Sequence, residues 1–126
     1  MNSRIFLIVD QHGAKSFDSD RIRSAISGMK GVTNWIEGKD TIHSNSLLFQ
    51  CELNRNDEEV LLRVQADLMS LEIDGNTDLC CEVAIELQKI YETELFVFAE
   101  DSLPEVLSLQ GVSTINEVIR LLHLKG

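Results

Sequence analysis

Three short segments of the chain contain residue types that could do chemistry, and the first begins at residue 74. The sequence DGNTD at 74–78 has the D-x-N-x-D spacing with which calcium loops begin, where alternating oxygens converge on a hard cation. The match then ends, because the sixth position is Leu79 instead of glycine and the twelfth is Ile85 instead of glutamate. We therefore predict a turn that leads into a helix, with Asn76 or Thr77 as its N-cap and no metal.

The second candidate is the adjacent pair Cys80 and Cys81. On a helix the two side chains point about 100° apart, so they do not share a metal comfortably. Cys80 falls on the apolar face and is predicted to lie in the core, while Cys81 is predicted at its boundary. With Cys51 the chain has three cysteines, an odd number with no C-x-x-C spacing, which we expect to remain free thiols in a reducing compartment.

The third candidate is VDQHGAK at 9–15, where an acid follows an apolar strand. Many α/β enzymes place catalytic groups at the carboxyl ends of strands. No second acid, glycine-rich phosphate loop or nucleophile motif accompanies Asp10 and His12 in the sequence. We interpret both as turn residues, predict no enzyme and no cofactor, and keep a small enzyme that uses this loop as the third functional hypothesis.

An acidic row on the predicted helix 77–92 is the remaining feature. Acidic residues recur there at every fourth position, and an isoleucine lies in the same sector. An exposed apolar anchor among steering carboxylates is typical of a binding surface, although a solvated helix face is the alternative. Substitutions on such an exposed face are expected to leave folding nearly unchanged. The predicted partner-binding surface consists of Asp78, Glu82, Ile85 and Glu86, supported by Asp57, Glu58 and Glu59 if that hairpin loop lies nearby.

The elements that must position these residues follow from hydrophobic periodicity. Residues 58–71 have a helix-favouring composition, but their apolar residues alternate with period two, so we predict an extended segment. The first strand is apolar on both faces, as expected of a strand covered above and below. Predicted strands cover 4–10, 32–38, 46–53, 59–66 and 94–101, and predicted helices lie within 18–31, 77–92 and 113–126. Asp18 is the predicted N-cap of the first helix, and Thr114 and Glu117 have the spacing of a capping box at the start of the last. The order β-α-β-β-β-α-β-α predicts an α+β fold with a mostly antiparallel sheet and helices packed on it, a ferredoxin-like variant.

Length and charge limit the class of protein. With 126 residues, the chain is predicted to be a single domain over 1–126. Its longest apolar runs have five residues and no signal-peptide pattern precedes them, so we expect a cytoplasmic protein with no membrane contact. The net charge is −10, and residues 51–126 alone carry five Lys/Arg and sixteen Asp/Glu, which disfavours nucleic acid and favours a basic protein partner.

The segment EIDGNTDLCCEVAIELQKIYETELFVFAED combines an acidic turn, a helix and an apolar strand that ends in acids. In layout and charge, it resembles several families of small acidic bacterial immunity proteins. The resemblance implies an antitoxin that binds and neutralises a basic toxin, such as a nuclease, by presenting carboxylates to a groove meant for phosphate. The alternative is an adaptor or assembly subunit that forms a homodimer through an apolar patch.

Overall fold

Seven strands and three helices make up the part of the chain that the structure, a computed structural model, describes: residues 1–38, 47–100 and 106–124. The strands are β1 (Asn2–Ile8), β2 (Val32–Glu37), β3 (Leu47–Arg55), β4 (Glu58–Gln65), β5 (Leu71–Asn76), β6 (Phe96–Ala99) and β7 (Leu107–Ser108). The helices are α1 (Ser19–Ser27), α2 (Thr77–Tyr91) and α3 (Ile115–Leu121). Parts of three predicted elements, namely Ser46, Asp101 and residues 125–126, lie outside the described residues.

The strands form one antiparallel sheet in the order β2-β3-β4-β5-β1-β6-β7. Because every neighbouring pair is antiparallel, β1 runs in the same direction as β2, and β5 runs in the same direction as β6. Helices α1 and α2 make these two crossovers, and right-handed connections place both on one face of the sheet. In agreement, α1 contacts α2, and α2 contacts α3.

The α+β class with helices packed on an antiparallel sheet is confirmed, whereas the ferredoxin-like variant is not. The sheet has two strands, β5 and β7, that the sequence analysis did not predict. A split β-α-β unit is present, since β5 and β6 flank β1 and are joined by α2. The extended prediction for 58–71 is confirmed over Glu58–Gln65, which form β4, whereas the next residues form a turn, with Leu68 at φ 62°, that leads to β5.

The core lies between the sheet and the helices and includes all three cysteines. Cys51, Cys80 and Cys81 are free and fully buried, so the prediction that Cys81 lies at the core boundary is wrong. Desolvation raises the pKa of each thiol to about 12.

These thiols should be nearly unreactive in the folded protein, because the thiolate is the reactive species and burial disfavours it. In the absence of reductant, we expect slow reaction with an aromatic disulfide reagent under native conditions and three reactive thiols per chain after unfolding in urea. Fewer than three thiols after unfolding, or one that reacts rapidly in the native protein, would contradict this prediction.

Candidate partner-binding site

The site begins where β5 passes into α2. Gly75 adopts φ 152°, and the Asn76 side chain then accepts a hydrogen bond of 3.0 Å from the backbone N–H of Leu79. Asn76 is therefore the N-cap, one of the two residues predicted for that role. Thr77 is buried instead, with its hydroxyl 2.7 Å from that of Ser3. In the first turn of α2, Asp78 is therefore exposed to solvent, while Thr77 and Leu79 on either side of it are buried.

An open groove of about 550 Å³ runs between α2 and the start of α3. Its α2 wall includes all four helical residues of the predicted surface, and residues 113–116 form the other wall. A capping box fixes the second wall, because the Thr114 hydroxyl accepts from the Glu117 N–H while the Glu117 carboxylate accepts from the Thr114 N–H. The lining residues are Asp78, Glu82, Ile85, Glu86, Lys89, Ser113, Thr114, Ile115 and Asn116.

Ile85 does not project from the surface as predicted. It is only 7% exposed, because α3 packs beside α2 and covers the sector that the helix pattern alone indicates as solvent. The side chain lines the groove from a buried position, so the predicted anchor on this chain is instead an apolar floor.

Arg55, at the end of β3, holds two of the three carboxylates of the acidic row. Its Nη1 lies 2.8 Å from Glu82 Oε2 and 2.7 Å from Glu86 Oε2, and its Nη2 donates to Glu86 Oε1 at 3.0 Å. The Arg55 side chain is 11% exposed, and its Nε donates to the carbonyl of Lys30 at 2.9 Å. The hydrogen bonds that Arg55 donates to Glu86, and then to Glu82, raise the pKa of Arg55 despite desolvation.

Asp78 differs from its two neighbours in the row. Within the described part of the chain, its carboxylate takes part in no hydrogen bond or ion pair, and the residue is exposed. Asp78 therefore presents a full negative charge at one end of the groove, whereas the charges of Glu82 and Glu86 are partly offset by Arg55.

The hairpin between β3 and β4 lies at the same end of the sheet as the start of α2, since Val60 pairs with Gly75. Its turn contains Asn56 and Asp57, both with positive φ, as a type I′ hairpin turn requires. Glu58 begins β4 beside this turn and is exposed. The predicted contribution of Asp57 and Glu58 to the surface is therefore compatible with their position.

Glu59 does not point towards the groove. In β4, Val60 and every second residue after it are buried beneath the helices, so Glu59 lies on the opposite face. There its carboxyl group is hydrogen-bonded to that of Glu52, which raises the pKa of Glu59. The prediction that Glu59 supports the same surface as α2 is wrong because strand alternation reverses its direction.

The loop with Asp10 and His12 has a simple structural explanation. One Asp10 carboxylate oxygen accepts from the backbone N–H of His12 and the other from that of Ala14, each at 3.0 Å. These hydrogen bonds lower the pKa of Asp10. Both oxygens therefore stabilise the turn, as predicted.

The described residues contain no group of three or more His, Cys, Asp or Glu side chains placed to hold a metal ion. They also contain no helix long and apolar enough to cross a membrane.

The site contains residues that local sequence patterns do not reveal. Arg55 is 31 positions from Glu86, and Lys89 and residues 113–116 join the groove only because α3 packs on α2. Comparison with known proteins adds nothing to this picture, since no protein-family model, no curated protein and no solved structure matches the chain. Fold and site together define an α+β domain with a charged groove on its helical layer.

Proposed function

We propose that this chain is an immunity-type protein of the cytoplasm, which binds and neutralises a basic bacterial toxin domain through the groove between α2 and α3. The observation that carries the proposal is the combination of an apolar floor at Ile85 with a rim that bears Asp78, Glu82 and Glu86. The net charge of −10 supports a basic partner over nucleic acid.

The rim is suited to a cationic side chain of the partner. Arg55 immobilises Glu82 and Glu86 in the free protein, so little side-chain entropy remains to be lost on binding. A carboxylate offers about four acceptor positions, so the acids retain capacity for a lysine or arginine from outside. The volume of about 550 Å³ lies within the range of about 300–1,000 Å³ typical of binding pockets.

For a nuclease partner, the mechanism is charge mimicry. Nuclease sites bind phosphate through lysine and arginine, and those same side chains would meet carboxylates at this groove. Attraction between an acidic inhibitor and a basic enzyme also accelerates association, particularly at low salt. Inhibition follows because the bound domain blocks access of nucleic acid to the toxin.

Asp78 is the residue with which to test the groove, because its removal breaks no contact. After the partner has been identified by affinity capture from the native cells and purified, we expect Asp78→Lys to slow association by about tenfold at low salt and to weaken its salt dependence. Asp20→Lys is the matched control, since Asp20 is also an exposed acid in the first turn of a helix, α1, but lies outside the groove. We expect the control to have a much smaller effect.

Two outcomes would contradict the proposal in different ways. Equal effects of the two variants would place the interface outside the groove. If the captured proteins include no basic protein whose activity the purified chain inhibits, then the immunity-type function itself is wrong.

A further inference from the structure

The face of the sheet opposite the helices carries an apolar patch on β1 and β6. The patch consists of Phe6, Ile8, Phe96 and Phe98, all half-buried. Phe6 pairs with Phe98 and Ile8 pairs with Phe96 across the two strands, so the four side chains form two adjacent rows. The rings of Phe6 and Phe98 stack with centroids 5.1 Å apart. An antiparallel sheet with one solvated face usually presents polar residues there, so this patch requires an explanation.

The charged residues beside the patch are paired within the chain. Arg4 lies 3.2 Å from Glu100, 3.3 Å from Asp74 and 3.6 Å from Glu72, and Arg63 lies 3.0 Å from Glu72. Glu72 is only 8% exposed between the two guanidinium groups. Because these acids already have cationic partners, a basic ligand would have to compete with Arg4 and Arg63. The patch is therefore better suited to an apolar surface than to the basic partner of the groove.

We propose that the patch is the contact surface of a homodimer, in which the sheet faces opposite the helices of two copies pack against each other. A homodimer interface of this kind is isologous, which means that the same surface of each copy contacts the other. A twofold axis that lies between the two rows therefore places Phe6 and Phe98 of one copy over Ile8 and Phe96 of the other. The two faces would stack about 10 Å apart, as sheets do in sandwiches. The axis also sends the Arg4 clusters of the two copies to opposite ends of the interface, which limits repulsion between two acidic chains.

The size of the face agrees with a reversible dimer. Seven strands at about 4.8 Å spacing and about 20 Å in length give roughly 600 Å² of projected area per copy. A standard stable interface buries about 800 Å² per partner, so partial overlap of these faces should give a dimer that dissociates on dilution.

Sedimentation equilibrium of the full chain tests the proposal. Over about two orders of magnitude in concentration, we expect the mass to rise from 14.2 kDa towards twice that value. Phe96→Thr with Phe98→Thr removes half of the patch and keeps a residue that favours strands, and it should raise the dimer dissociation constant at least about tenfold. Ile90→Gln is the matched control, since Ile90 is an apolar residue, 45% exposed, on the helical layer, and its substitution should leave the dimer unchanged.

Isotope-filtered NOE spectra of a mixed labelled and unlabelled wild-type sample provide a readout that no folding defect of a variant can affect. We expect intermolecular contacts between the rings of Phe6 or Phe98 of one copy and the ring of Phe96 or the methyl groups of Ile8 of the other. A monomer at every concentration, a dimer insensitive to the double variant, or intermolecular contacts confined to the helices would each overturn the proposal. The test is separate from that of the groove, because the two surfaces lie on opposite sides of the sheet and a monomer could still bind a toxin.

Discussion

Gly75→Ala is expected to destabilise the protein by about 3 kcal/mol or more. A Cβ atom at this position would lie 2.3 Å from the carbonyl oxygen of Glu59 and 2.8 Å from the Cα of Val60. Both atoms belong to the backbone of β4, so the clash cannot be relieved by rotation of a side chain. Relief requires β4 and β5 to separate in the middle of the sheet, and the φ of 152° adds backbone strain.

Gly13→Ala separates the two causes of this effect. Gly13 also has a positive φ, 71°, but no atom lies within 4 Å of the position where its Cβ would be. We expect this variant to cost about 1–2 kcal/mol, the value of the left-handed conformation alone. Urea denaturation of the two variants beside the wild type measures both costs. Equal destabilisation would mean that the close approach of β4 to Gly75 is not important.

The elements that were predicted correctly are those with strong local signals. The caps of the three helices are the examples: Asp18 accepts from the Arg21 N–H, Asn76 from the Leu79 N–H, and Thr114 forms its capping box with Glu117. Each cap depends on residues within one helical turn, which a sequence displays directly. Strand β4 was predicted for the same reason, because the alternation of its apolar and polar residues is visible within a few consecutive positions.

Strand β5 was missed because two of its residues look like loop residues. Glu72 and Asp74 alternate with Leu71 and Ile73, but both are acidic, and glycine follows. In the structure the two acids face the open side of the sheet and pair with Arg4 and Arg63, which lie in different strands. Such pairing is created by the tertiary fold, so no local window of the sequence contains it.

The difference between local signals and tertiary contacts also explains which features of the candidate site were predicted correctly. The spacing of Asp78, Glu82 and Glu86 correctly placed these residues on one helix face, and all three line the groove. The exposure of Ile85 was predicted wrongly because it depends on α3, which follows β6 and β7 in the chain. The ion pairs of Glu82 and Glu86 could not be predicted from the sequence of α2 either, because their partner Arg55 lies in β3.

Arg55 changes the expected consequence of reversing charge in the acidic row. From the sequence alone, Glu86→Lys should leave folding nearly unaffected, since the row is exposed. In the structure, Glu86 accepts two hydrogen bonds from Arg55, whose side chain is 11% exposed. A lysine there would leave a largely buried arginine facing a second cation, so we expect destabilisation of about 2–3 kcal/mol.

Asp78→Lys is the matched control for Glu86→Lys, because both change the charge equally in one row of α2 but only Glu86 contacts Arg55. The control should cost no more than about 1 kcal/mol, the value of an acid near the positive end of a helix. Urea denaturation of both variants, followed by a double-mutant cycle of Arg55→Met with Glu86→Gln, measures the interaction of Arg55 with Glu86 directly, and we expect a coupling energy above about 1 kcal/mol.

Similar stability of the two charge reversals, with no coupling in the cycle, would mean that the Arg55 contacts do not stabilise the fold. In that case Glu86 would be as suitable as Asp78 for probing partner binding, whereas a large difference makes Asp78 the residue whose effect on affinity can be interpreted without a change in folding.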